Sequence, residues 1–114
     1  KRSIIKQMTY RAIALAEELR NRGLAVVEVY PYASKVGLFG RMEHKKTTRK
    51  GREDLTRRMR RLVPCLDAHP NALAHDLGDA VVAAYTGYLH GLGLAEAVGH
   101  EEEGQIVVPG PSLS

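Results

Sequence analysis

Beyond Arg61 the chain has no lysine or arginine, although residues 62–114 carry seven acids. Tryptophan is absent, phenylalanine occurs once and tyrosine five times, which argues against an aromatic-rich stacking surface for single strands. The one cysteine, Cys65, excludes an internal disulfide framework and a four-cysteine zinc site. No apolar stretch runs into a small-residue cleavage site, so no export signal is visible and a reducing cytoplasm is the expected compartment. Residues 80–99 carry Glu96 as their only charge, but His90 and four glycines interrupt them and no Lys or Arg flanks them, so no membrane helix is expected. The remainder, 114 residues of which 44% are hydrophobic and 26% charged, has the make-up of one globular domain.

The positive charge is concentrated. Residues 1–40 hold seven basic residues and three acids, whereas residues 41–61 hold ten basic residues against Glu43, Glu53 and Asp54. A local net charge of +7 over 21 residues points to an anionic partner, nucleic acid first, with a solvated helix face as the alternative.

Apolar residues at 4, 5, 8, 12, 15, 16 and 19 recur at helical spacing, and Gly23 follows Arg20 and Arg22 as a stop signal. Residues 24–30, rich in β-branched side chains and ended by Pro31, predict a buried strand. Residues 31–48 read as a loop, with Pro31, Gly37 and Gly40. A basic helix is expected over about 48–63, burying Leu55, Met59, Leu62 and Val63, and an apolar helix over about 72–91, after a turn at Pro70-Asn71. Residues 105–109 read as a terminal strand and 110–114 as a flexible tail. The order helix-strand-helix-helix-strand predicts an α/β domain over 1–109.

Two groups of residues stand out chemically. Glu28 interrupts an apolar strand, where a carboxylate is costly to bury unless it is paired or bound to a metal. Asp76 and Asp79, three apart at a helix start, share a face; acids there complement the helix dipole, yet two exceed what capping needs. Carboxylates converging from a strand and a helix are how hard cations such as magnesium are held, and two-metal phosphoryl hydrolysis uses that layout. Cys65 lacks a His and base at motif spacing, and His69, His75, His90 and His100 form no zinc spacing. Gly37-x-x-Gly40 is too short for a phosphate loop, and Ser34 and Thr47 have no triad partners.

Four stretches, Glu-Val-Tyr-Pro-Tyr (28–32), Lys-Lys-Thr-Thr-Arg-Lys-Gly-Arg (45–52), Asp-Leu-Gly-Asp-Ala (76–80) and Glu-Gly-Gln-Ile-Val-Val-Pro (103–109), together resemble successive landmarks of one family. It is the bacterial and archaeal family known as domain of unknown function 429, predicted nucleases of ribonuclease H fold. The resemblance covers about residues 4–109, with Leu77-Gly78 where Ala-Leu is usual and Gln105 where Trp is common. It implies a ribonuclease H-like fold of which this chain is the C-terminal part. Glu28 would be the metal-binding acid of the fourth strand, and Asp79, with Asp76, that of the last helix. The leading Asp on a first strand, which such folds carry, has no counterpart in these residues.

The expectation is therefore a metal-dependent nuclease-type domain. Glu28, Asp76 and Asp79 would bind magnesium or manganese, and Lys45, Lys46, Arg49, Lys50 and Arg52 would hold nucleic-acid phosphates without reading sequence. By itself the chain is expected to lack appreciable cleavage, since two ions need more ligands than three acids supply. An unpaired edge at 24–30 would pair with a second copy or with a missing N-terminal segment. Rival expectations are a non-catalytic protein using 41–61 on nucleic acid or an acidic partner, and a small-molecule phosphate enzyme with the same acids. If the basic segment holds phosphates, log affinity for duplex falls with log salt at about −0.9 per phosphate neutralised. Replacing Lys45, Lys46 and Arg49 together flattens that slope; binding indifferent to salt would leave only a solvated face.

Overall fold

A computed structural model describes residues 2–41, 43–45, 47–68 and 72–110. Helix α1 covers Arg2–Asn21. Its end is set by Gly23, whose φ of 84° lets the chain reverse, so that the Gly23 amide donates to Arg20 O and the Leu24 amide to Leu19 O. Helix α2 covers Pro31–Phe39, α3 covers Arg49–Leu62, a 3-10 turn follows at Pro64–Ala68, and α4 covers His75–Gly91. Strands β1 (Ala95–Val98) and β2 (Ile106–Pro109) form an antiparallel hairpin pairing Ala95 with Pro109 and Val98 with Ile106. The described residues thus form a small, mostly helical domain with one hairpin near its C-terminal end.

The core lies between α3 and α4. Leu55 and Met59 from α3, Leu66 from the 3-10 turn and Val82 from α4 are buried together, and Met59 and Val82 are wholly inaccessible. Phe39, Leu62, Val63 and Tyr85 close around them. This is the face that the spacing of Leu55, Met59, Leu62 and Val63 predicts, because an isolated highly charged helix gains its stability by burying such a stripe. Gly78 of α4 lies against Leu55, so the helices approach closely there.

Three sequence expectations are corrected. The strand over 24–30 is reduced to a single parallel bridge, Val29 to Val107, in which the Val107 amide donates to Glu28 O at 2.8 Å. A strand needs a continuous edge, and β2, four residues long, already gives its other edge to β1. The loop expected over 31–48 contains α2: Pro31 occupies the first turn, where its missing amide costs nothing, and the helix packs on both α4 and β2. β1 falls where only a glycine-rich exit was expected, and pairing with β2 stabilises it despite its composition. The order helix-strand-helix-helix-strand is thereby replaced by helices followed by a hairpin. Gly110 is buried and its amide donates to Leu94 O, which ties the start of the expected tail to the hairpin. His69, Pro70, Asn71 and residues 111–114 lie outside the described residues.

Helix α1 is folded but bare. Ile5 and Met8 are 65% and 63% exposed, Ile4 and Leu15 are also exposed, and among the described residues no other helix or strand packs along it. No helix among the described residues is long and apolar enough to cross a membrane.

The start of α3 depends on one glycine. The Thr48 hydroxyl accepts the Gly51 amide at 3.1 Å and donates to Lys45 O at 2.7 Å, so the loop is drawn down onto the helix. A Cβ at Gly51 would fall 1.9 Å from the Lys45 carbonyl oxygen. Gly51→Ala is expected to cost about 1–3 kcal/mol in chemical denaturation. Gly87→Ala, at an α4 position facing open space, should gain up to about 1 kcal/mol. Equal effects at the two sites would contradict the packing described.

Candidate nucleic-acid interface

A cleft of about 630 Å³ opens between the start of α2, the loop before α3 and the first turns of α4. Tyr30 and Tyr32 stand at the start of α2, Arg41 and Lys45 come from the loop, and Lys35 and Asp79 meet inside. The Lys35 ammonium donates to Asp79 Oδ1 at 3.0 Å, with the side chains 6% and 19% exposed. Two turns along α4, the buried Thr86 hydroxyl lies 2.9 Å from both the Ser34 hydroxyl and Val82 O. Two polar contacts from consecutive residues of α2 thus fix it against α4. A buried ammonium requires such a partner, since burying a charge unpaired is strongly unfavourable.

The expected acids are placed differently from one another. Asp79 lines the cleft, next to Lys35. Asp76 is in the first turn of α4, its side chain 89% exposed and 3.0 Å from His75 Nε2. Glu28 is exposed on the extended segment that leads into α2, and its carbonyl holds the bridge to Val107. Among the described residues no three His, Cys, Asp or Glu side chains gather in a group that could hold a metal ion. Lys35 already supplies the positive charge beside Asp79, so the three acids as placed do not make a magnesium or manganese site by themselves.

The basic segment divides by partner. Arg49 pairs with Glu53 at 2.9 Å, Arg57 pairs with Asp54, and Arg58 reaches Asp54 at 3.3 Å while its guanidinium lies 5.6 Å from the Phe39 ring centre. Arg52 donates to Thr47 O at 2.6 Å, which makes it a clamp on the loop. Lys50 lines a shallower depression with Glu53 and Asp54. Lys46 lies outside the described residues. Of the four described residues expected to hold phosphates, Lys45 is the one lining the cleft. Lys35, Arg41, Tyr30 and Tyr32 were not among those candidates. The signal for them was Tyr-Pro-Tyr, since Pro at a helix start fixes where both tyrosines emerge and puts Lys35 one turn further on.

Comparison of the chain with models of known families, with curated proteins and with solved structures gives no match. Asp79→Ala leaves the enclosed Lys35 ammonium without its carboxylate and is expected to cost about 3 kcal/mol in denaturant melts. Lys35→Met should cost less, because Asp79 is the more exposed partner. The Lys35→Met/Asp79→Ala double variant should recover part of the loss. Additive losses would mean that the pair is not a structural tie.

Proposed function

We propose that this chain is the C-terminal part of a ribonuclease H-like, nuclease-type domain of the kind that domain of unknown function 429 describes. Its own share of the work is to hold the sugar-phosphate backbone of a nucleic acid. The observation that carries the binding part is the cleft, where Arg41 and Lys45 from the loop join Lys35 in the lining, against the acids Glu43 and Asp79. Cations from separate elements around one concavity raise the local concentration of a polyanion, and phosphate contacts of this kind position a backbone without reading it.

The fold assignment draws on the parallel bridge between Val29 and Val107. Two parallel segments joined through intervening helices are the elementary unit of an α/β layer, and α4 packs on β2. Tyr30, two residues after Glu28, lines the cleft with Asp79, whereas Glu28 itself is exposed and does not line it. Phosphodiester hydrolysis would need magnesium or manganese, and Glu28, Asp79 and Asp76 are the residues the resemblance names for it. Because they do not form a metal group here, ligands from outside these residues would have to complete it, and the chain alone is expected not to cleave. The Lys35–Asp79 pair favours a second reading, a non-catalytic nucleic-acid-binding protein that uses the same cleft.

One experiment separates the readings. Binding of a labelled oligonucleotide is followed by anisotropy in EDTA, and the melting temperature is followed with added manganese. Salt-sensitive binding, with the small manganese-dependent rise in Tm that an incomplete ligand set would give and that Glu28→Gln or Asp79→Asn removes, supports the nuclease-type reading. Binding with no metal response leaves the non-catalytic reading. Absence of binding at low salt removes both.

A further inference from the structure

We infer that the cleft takes an unpaired nucleotide of a single strand, with its base against Tyr30 or Tyr32 and its phosphates near Arg41 and Lys45. This rests on the reading of the cleft as a nucleic-acid site and names the form of nucleic acid it selects. Tyr30 and Tyr32 are 55% and 58% exposed although both line a concave surface, and their ring centres are 6.0 Å apart at a tilt of 44°. Pro31 between them and the first turn of α2 fix their backbone, so presenting the rings costs little further ordering.

Aromatic faces beside cations are what an unpaired base and its phosphate require. The face stacks on any base, and the cation meets the charge that follows it along the strand. A duplex keeps its base faces stacked inside and offers phosphates and groove edges, which can take a tyrosine hydroxyl but give the ring face no base to stack on. The cleft volume of about 630 Å³ is that of a site for a compact group rather than a surface laid across a helix. The five tyrosines of the chain are too few for an extended stacking platform, but two of them at one cleft mouth suffice for a single base.

The test compares a labelled 12-nucleotide single strand with a duplex of the same length, by anisotropy over a salt series. The intact chain is expected to bind the single strand about tenfold more tightly than the duplex. With no tryptophan present, quenching of tyrosine emission on binding reports the stacking directly. Tyr30→Leu or Tyr32→Leu should weaken single-strand binding about tenfold at an unchanged salt slope, since no charge is removed. Tyr30→Phe and Tyr32→Phe should bind as the parent does, and Tyr88→Leu, exposed on α4 outside the cleft, should have no effect. If a leucine variant fails to fold, the strand preference and the quenching of the parent chain decide. Equal or tighter binding of duplex, or leucine variants that bind normally, overturns the inference while leaving the backbone-binding reading intact. Failure to bind either form overturns both.

Discussion

The ion pair between Lys35 and Asp79 is the contact on which the placement of the cleft depends. It joins α2 to α4 across 44 residues of sequence, with Ser34 and Thr86 adding a second polar contact beside it. Neither contact contributes much net stability when weighed against an apolar replacement, because desolvation offsets most of the attraction. What they supply is position. An ammonium this enclosed has one favourable place to be, and it fixes the angle at which α2 leaves the bridge at Val29. The tyrosines at the start of α2 and the loop after it follow from that angle.

The second constraint is the seat of the loop on α3. Lys45 O accepts from the Thr48 amide and hydroxyl directly over Gly51, and Arg52 grips Thr47 O. The Lys-Thr-Gly-Arg stretch is therefore as much a piece of backbone engineering as a charge run. Several cations of the wider basic segment 41–61, Arg49, Arg52, Arg57 and Arg58, are engaged by Glu53, Asp54, Phe39 and the loop carbonyl, which lowers the field the segment presents to a partner. Of the cations around the cleft, Arg41 and Lys45 belong to that segment and Lys35 comes from α2.

Helix α1 shows the opposite condition, a regular element without tertiary support. Its seven-residue apolar stripe is the kind of surface that other helices in the chain bury, yet Ile5 and Met8 remain mostly in water. Exposed apolar area on that scale is the kind of surface that a binding partner covers. The extended segment after Gly23, bonded on one side only at Val29, is consistent with the same condition. A helix followed by a tight turn and a half-paired strand normally folds back over a sheet, and here the hairpin is the only sheet among the described residues.

Local chemistry made much of this legible from sequence. The periodicity of residues 4–19 marked α1, and Gly23 marked its end. Leu55 and Met59 marked the buried side of α3, because a helix with ten charged or polar neighbours can bury only its few apolar positions. Asp79 stood out as an acid at the head of an apolar helix. What the sequence alone could not decide was pairing. Val-Val-Glu-Val satisfies every intrinsic preference of a strand, but hydrogen bonds need an edge, and only tertiary structure determines that β2 offers it one bridge. Glycine and proline in 31–40 read as breakers, yet Pro31 starts α2 and burial against α4 and β2 outweighs Gly37. The partner of Asp79 was equally out of reach, since a lysine 44 residues away becomes its neighbour only through the packing of two helices. Propensity and periodicity act over a few residues, whereas pairing of edges and charges is settled by which distant surfaces the core brings together.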